Sequence, residues 1–246
     1  MGGFMRLDRF LSECAVATRS EAKKAIRAGA VTVNGVGVRQ SDASVDPDAD
    51  VVFFRGERVI YRKYIYVLLN KPDGYVSATE DGKEKTVLDL LPEQMSKQGV
   101  FPCGRLDKNT LGLMLLTNNG ELAHRLLSPK NHVEKKYAFR SKFPLDPEDV
   151  KRFEAGLTLE DGYVTKPAKI ELDEGLSSGV ITLHEGKYHQ IKRMLEALSN
   201  KITYLERISF ADLTLEGSGL ARGEWRYLDE GEIAALEQLA KADTNI

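Results

Sequence analysis

An aspartate set between two apolar stretches can do chemistry. In Gly104-Arg105-Leu106-Asp107 it follows an apolar approach and precedes the run Leu111-Gly112-Leu113-Met114-Leu115-Leu116. Such a carboxylate anchors a turn, the commonest use of an Asp in a loop, or works on a substrate as base or nucleophile. Basic residues outnumber acidic ones near the front of the chain. Arg19, Lys23 and Arg27 fall four apart and share one helical face, with Lys24 beside them, while Ala22, Ala25 and Ile26 turn the other way. That stripe suits phosphate groups, or it is a solvated face. Other chemistries lose ground. There is no G-x-x-x-x-G-K-[ST] loop, no G-x-G-x-x-G after a strand and no H-E-x-x-H, which argues against a nucleotide hydrolase, a dinucleotide enzyme and a zinc hydrolase. His124, His132, His184 and His189 have no ligand spacing with any Cys or carboxylate pair, so no metal site is expected.

These residues need a scaffold, and the chain is long enough to supply one. With 246 residues, 42% of them hydrophobic, it can bury one large core or two smaller ones. No run reaches the roughly 18 to 20 apolar residues that cross a bilayer, and Met1 to Met5 lack the parts of a signal peptide. The cytoplasm is the default location. Met5-Arg6-Leu7-Asp8 reads as a natural beginning, which leaves the four residues before it as a remnant or an upstream start. Cys14 and Cys103 are too few and too distant for a disulfide framework, and both read as reduced core residues.

The net charge of −2 hides an asymmetry along the chain. Residues 1–40 carry seven basic and three acidic side chains, residues 41–59 two and five, residues 60–145 fourteen and nine, and the remainder twelve and twenty. The first and third segments could form a positive face for phosphates.

Leu7, Phe10, Leu11 and Cys14 recur at helical spacing, and Ser20 is expected to cap a second helix ending at Gly29. Val31-Thr32-Val33 and Val36-Gly37-Val38 then flank Asn34-Gly35, a strong hairpin signal. This order of basic helix, glycine and V-x-V-N-G hairpin resembles the S4 RNA-binding domain, over about residues 5 to 55. The resemblance implies that Arg6, Arg19, Lys23, Lys24 and Arg27 lie against RNA phosphates. Asp46-Pro47-Asp48-Ala49-Asp50 reads as a turn-rich stretch, and a boundary is expected near residue 60, between domains at 5–58 and 61–243.

The second part opens with the strand-like run Tyr64 to Leu69 and a Pro/Gly turn through Tyr75. A short helix from Thr86, stopped by Pro92, precedes the Asp107 segment. Then come a strand from Leu111, a helix from Glu121 to about Leu127 and a strand over Lys135 to Arg140. A strand at Val180 to Leu183 leads to a helix with Ile191, Met194, Leu195 and Leu198 inward. Ile233, Leu236 and Leu239 mark a packing helix between Gly231 and Asp243. Strands and short helices without regular alternation imply an α+β fold with a mixed sheet.

Four motifs occur in order: L-N-K-P-x-G-Y at 69–75, G-R-L-D-x-x-T-x-G-L-x-L-L-T-N-x-G at 104–120, E-K-x-Y at 134–137 and E-G-K-Y-H-Q-I-K-R-M at 185–194. Together they resemble the RsuA branch of the RNA pseudouridine synthases, from Met5 to about Ile233. The resemblance implies a mainly antiparallel catalytic sheet flanked by helices, and conversion of a specific uridine of 16S ribosomal RNA to pseudouridine without a cofactor. It makes Asp107 the essential carboxylate, places Lys192 beside it as a fixed cation, and packs Tyr137 against the uracil. Read without the resemblance, Lys192 is a solvated helix lysine and Tyr137 a core residue. Arg105 is expected to fill the vacated stack or hold a phosphate. Lys71, Lys108, Lys130, Lys136 and Arg193 are expected to contact phosphates. Lys192, where many of the branch have arginine, looks more like the small-subunit enzyme. The expected partner is rRNA in a partly assembled small ribosomal subunit, with the protein a monomer. A sibling acting on 23S rRNA and a non-catalytic RNA-binding assembly factor are the alternatives.

Overall fold

A computed structural model of the chain describes residues 3–241. Met1 and Gly2 of the leading stretch, and Asp243 at the expected end of the last helix, lie outside the described residues. The chain divides into two compact units. One runs to Ile65 and takes in residues 91–100; the other holds residues 66–90 and continues from Phe101.

In the first unit, strand β1 (Met5–Arg6) leads directly into helix α1 (Leu7–Glu13), and α2 (Arg19–Arg27) follows. The cap of α2 is Thr18, not Ser20. The Thr18 hydroxyl accepts from the Glu21 amide and the Glu21 carboxylate accepts from the Thr18 amide, a reciprocal capping box. Strands β2 (Val31–Val33) and β3 (Val36–Gly37) form the hairpin. Asn34 and Gly35 both take positive φ, 52° and 80°, the geometry of a type I′ turn. Strand β4 (Ser44–Val45) pairs β1; β5 (Val52–Phe54) and β6 (Glu57–Val59) complete the four-stranded order β3-β2-β5-β6. Leu7, Phe10, Leu11, Ala22, Ile26, Val31 and Val52 form the core.

The expected short helix is a 3-10 turn at Val87–Leu90 that ends ahead of Pro92. Beyond Pro92 a further helix begins, α3 (Glu93–Lys97), for which the sequence carries no clear periodicity. It belongs with the first unit: Gln94 Nε2 donates to the Cys14 carbonyl at 2.5 Å and Gln98 Nε2 to that of Glu13 at 3.3 Å.

The second unit is built on one mixed sheet. Its strands are β7 (Tyr66–Lys71), β8 (Phe101–Pro102), β9 (Leu111–Thr117), β10 (Lys135–Ser141), β11 (Lys169–Leu172), β12 (Ser178–Leu183), β13 (Ile202–Phe210), β14 (Leu213–Thr214) and β15 (Trp225–Tyr227). The order is β11-β12-β10-β13-β9-β7-β15, with β14 on β13 and β8 on β9. Every pairing is antiparallel except β13 with β9, registered at Glu206 with Leu111 and Arg207 with Gly112. Strand β7 is buried at all six positions and β9 at all but Leu111, as expected for strands covered on both faces. Leu122 and Leu126 of helix α4 (Gly120–Leu127) cover Leu68, Leu113 and Leu115 together with Leu236 and Ala240 of α7 (Glu230–Lys241). Helix α5 (Pro147–Ala155) packs on β11 and α6 (Gln190–Ala197) on β13. Leu198 caps α6 and is half-buried instead of facing fully inward.

Strand β13, central to the sheet, has no counterpart among the strands expected from sequence, because Glu206 and Arg207 break its apolar pattern. Arg207 is nevertheless 2% exposed: its Nε donates to the Leu113 carbonyl at 2.7 Å and its guanidinium lies over Phe210. Close approach there requires Gly112. Its φ is +99°, and a Cβ would stand 2.3 Å from the Arg207 carbonyl oxygen.

Candidate active site

Asp107 lies in the turn that enters β9, and two segments distant in sequence fasten that turn. The Ser77 hydroxyl donates to the Leu106 carbonyl at 2.6 Å and accepts from the Leu106 amide at 2.9 Å. The Gly74 amide donates to the Lys108 carbonyl at 3.1 Å, and the Thr110 amide to that of Asp107 at 3.0 Å. Lys71 completes the clasp. Its Nζ donates to the carbonyls of Pro72, Lys108 and Thr110 at 3.1, 3.0 and 2.8 Å. The Asn70-Lys71-Pro72-Asp73-Gly74 turn thus grips the loop that carries the aspartate.

The Lys71 arrangement corrects its expected role. A side chain with no exposed surface and three carbonyl partners cannot meet a phosphate from solvent. Burial pushes its ammonium down to about 8, against the opposing pull of the Asp73 and Asp107 charges.

The carboxylate of Asp107 is held on both oxygens. Lys192, from α6, donates to Oδ2 at 2.5 Å and to Asn109 Oδ1 at 2.8 Å. His189 Nε2 lies 3.4 Å from Oδ1, a salt bridge when the ring is protonated. The Asp107 side chain keeps 25% of its surface open and that of Lys192 21%, so the pair is sheltered yet reachable. The short contact is a charge-assisted hydrogen bond between an ammonium and a carboxylate. His189 sits at the head of α6 with φ 50° and ψ 29°, a left-handed conformation uncommon for a residue with a Cβ.

Asp107, Asn109, His189 and Lys192 therefore form one cluster. Tyr137 enters through sheet register. It is 9% exposed on β10 and pairs Arg207, which pairs Gly112, which pairs Lys71, so one row crosses four strands beside the start of β9. Arg105 is exposed two residues before Asp107. Lys108 pairs with Glu84 at 2.6 Å and Lys136 with Glu134 at 3.3 Å, both at the surface. Lys130 is exposed in a 3-10 turn. Arg193 is tied to Asp161 at 2.5 Å with only 22% of its side chain exposed.

In the first unit Arg6, Arg19 and Lys23 converge on Asp8, a residue without a motif around it. Asp8 is fully buried. Arg6 meets its two oxygens at 3.1 and 3.0 Å, and Arg19 and Lys23 approach to 3.7 and 3.8 Å. The Arg6 hydrogen bonds hold the Asp8 carboxyl below the usual carboxylate range despite its burial. Lys24 and Arg27 are exposed on α2. Asn109 and Ser77 likewise carry no sequence signal of their own, and the positive φ of His189 is visible only in the fold.

Comparison with known proteins gives the family. The family model for RNA pseudouridylate synthases matches residues 65–197, and the model for the S4 domain matches residues 5–51. An RNA pseudouridine synthase of Bacillus subtilis is 45% identical, covering 95% of this chain and 99% of its own length. The ribosomal small subunit pseudouridine synthase A of Vibrio cholerae is 38% identical, covering 94% and 99%. A crystal structure of a pseudouridylate synthase, 36% identical, superposes with a TM-score of 0.67 over 94% of this chain and 99% of that one. This chain belongs to the RNA pseudouridylate synthase family, with an S4 domain ahead of the synthase fold, and is an RNA pseudouridine synthase.

Proposed function

We propose that this enzyme converts one specific uridine of 16S ribosomal RNA to pseudouridine, with Asp107 as its essential group and no cofactor. The reaction is an isomerisation: the C1′ to N1 bond breaks, the uracil turns while held, C5 bonds to C1′ and the C5 proton is lost as N1 gains one. Asp107 attacks C1′ or takes the C2′ proton, Tyr137 packs against the uracil and helps deprotonate C5, and Arg105 fills the vacated stack or holds a phosphate. The observation that carries this reading is the Asp107 carboxylate, latched in its loop and ion-paired with Lys192. The 16S target rests on the relatives named ribosomal small subunit pseudouridine synthase A. In this reading residues 5–58 hold the RNA through Arg6, Arg19, Lys23, Lys24 and Arg27, and residues 61–243 perform the chemistry. Lys108, Lys130, Lys136 and Arg193 supply further phosphate contacts. The partner is RNA in a partly assembled small subunit, met in the cytoplasm by a monomer.

The test is pseudouridine mapping by carbodiimide modification and primer extension on rRNA from cells lacking the protein, with wild-type or Asp107→Asn copies added back. One 16S stop lost and restored by wild type alone is the expected result. A stop lost in 23S rRNA moves the target; no lost stop refutes the rRNA assignment.

A further inference from the structure

Tyr188 leaves 71% of its surface in solvent, yet it is neither loose nor alone. Its ring stacks on His189 with centroids 3.8 Å apart and planes 16° from parallel, and the far edge of His189 reaches Asp107 Oδ1 at 3.4 Å. Two parallel rings thus lead outward from the carboxylate. A single exposed tyrosine needs no explanation; one stacked on a ring that touches the reacting group does.

The loop beneath the pair is fastened. Glu185, 6% exposed, accepts from the Tyr163 hydroxyl at 2.7 Å, the Lys166 amide at 3.0 Å and Gln190 Nε2 at 2.6 Å. Gln190 Oε1 accepts from the Lys187 amide at 2.9 Å. These bonds bracket Tyr188 and His189, and the left-handed backbone at His189 is held by them. The rings are therefore presented in place before anything binds, which lowers the entropy cost of stacking a planar ligand.

We propose that Tyr188, backed by His189, is a stacking platform for an unpaired nucleobase next to the target uridine. This rests on the reading of Asp107 as the reacting group. A uridine drawn to Asp107 leaves its neighbour without a stacking partner, and an aromatic face beside the carboxylate replaces it. Every base has a π-face, so the platform supplies affinity and placement without reading sequence.

The test uses the full-length enzyme and an RNA fragment containing the mapped uridine. One set of fragments carries 2-aminopurine on either side of that uridine; another carries abasic residues there. Tyr188→Ala should raise KM about tenfold with kcat little changed, and Tyr188→Phe, which keeps the ring, should stay near wild type. The Tyr188→Ala penalty should vanish on the fragment whose neighbouring base is missing. Binding to wild type should quench 2-aminopurine on one side of the uridine, and Tyr188→Ala should abolish that quenching. An unchanged KM with no quenching difference overturns the platform, as does a penalty that persists with abasic residues on both sides. Quenching is read without turnover. A fragment that binds and quenches but is not isomerised therefore supports the platform, while the proposed reaction stands or falls on the cellular mapping.

Discussion

Replacing Lys71 with methionine removes an ammonium and keeps an unbranched side chain of similar volume. Three carbonyls then lose a donor, each at about 1–3 kcal/mol if left unsatisfied. The bond to Thr110 is fully buried and those to Pro72 and Lys108 partly so, which puts the sum near the lower end, about 4 kcal/mol. The substitution also relieves a cost. Burial lowers the lysine to about 8 from about 10.4 in an unfolded chain, so keeping it charged costs about 3 kcal/mol well below pH 8. The net effect is within about 1 kcal/mol at neutral pH and reaches a loss of about 3 kcal/mol near pH 10.5, where the neutral amine still donates to two of the three carbonyls. The sign follows from proton binding. Between about 8 and about 10.4 the unfolded chain keeps a proton that the native protein has released, so wild-type stability gains from this group as pH rises, and the variant lacks that gain. Urea unfolding of both proteins across this range measures the difference, in which contributions from other lysines cancel. A stability difference that stays flat or shrinks as pH rises would refute the reasoning.

Asp107→Asn should keep RNA affinity within a few-fold while turnover stops; residual turnover near wild type in a single-turnover assay removes the carboxylate from the mechanism. Replacing Arg19, Lys23 and Arg27 together with alanine should weaken RNA binding and flatten its salt dependence, by about 0.7–0.9 in log–log slope for each phosphate no longer neutralised. Arg19 and Lys23 already lean on Asp8, so the fall should be less than three such increments, and an unchanged affinity across a salt series contradicts the S4 contact surface. Gly112→Ala should destabilise by roughly 2–5 kcal/mol, from positive-φ strain and a carbonyl inside contact distance, seen as a lower urea midpoint; a midpoint matching wild type would mean that β9 and β13 separate more readily than their packing implies.

What the sequence makes legible is local. The left-handed Gly29 beyond α2, the Asn-Gly turn and the apolar runs of β7 and β9 are set by neighbouring residues, and the motifs around Asp107 and Lys192 name the pair that the fold joins. The cap at Thr18 is hidden because Ser20 offers the same hydroxyl, and the capping box depends on Glu21 being three residues beyond Thr18. Lys71 looks like a surface lysine because its burial comes from carbonyls at 108 and 110. Strand β13 escapes notice because Arg207 resembles a solvent residue until Leu113 and Phe210 are placed beside it. In each of the last two cases the deciding partner lies far away along the chain.

The lone parallel pairing, between β13 and β9, divides the sheet into two blocks. Strands β10 to β13 come from one unbroken stretch of chain, residues 135–210, and can assemble largely among themselves. Strands β7 and β9 form the other block, with β15 added from near the end of the chain. Asp107 belongs to the second block and Tyr137 to the first. Neither block can hold both, so under the proposed mechanism the catalytic centre comes into being only when the seam at Gly112 and Arg207 closes, and a folding intermediate with both halves formed but unjoined would have native strands and no activity.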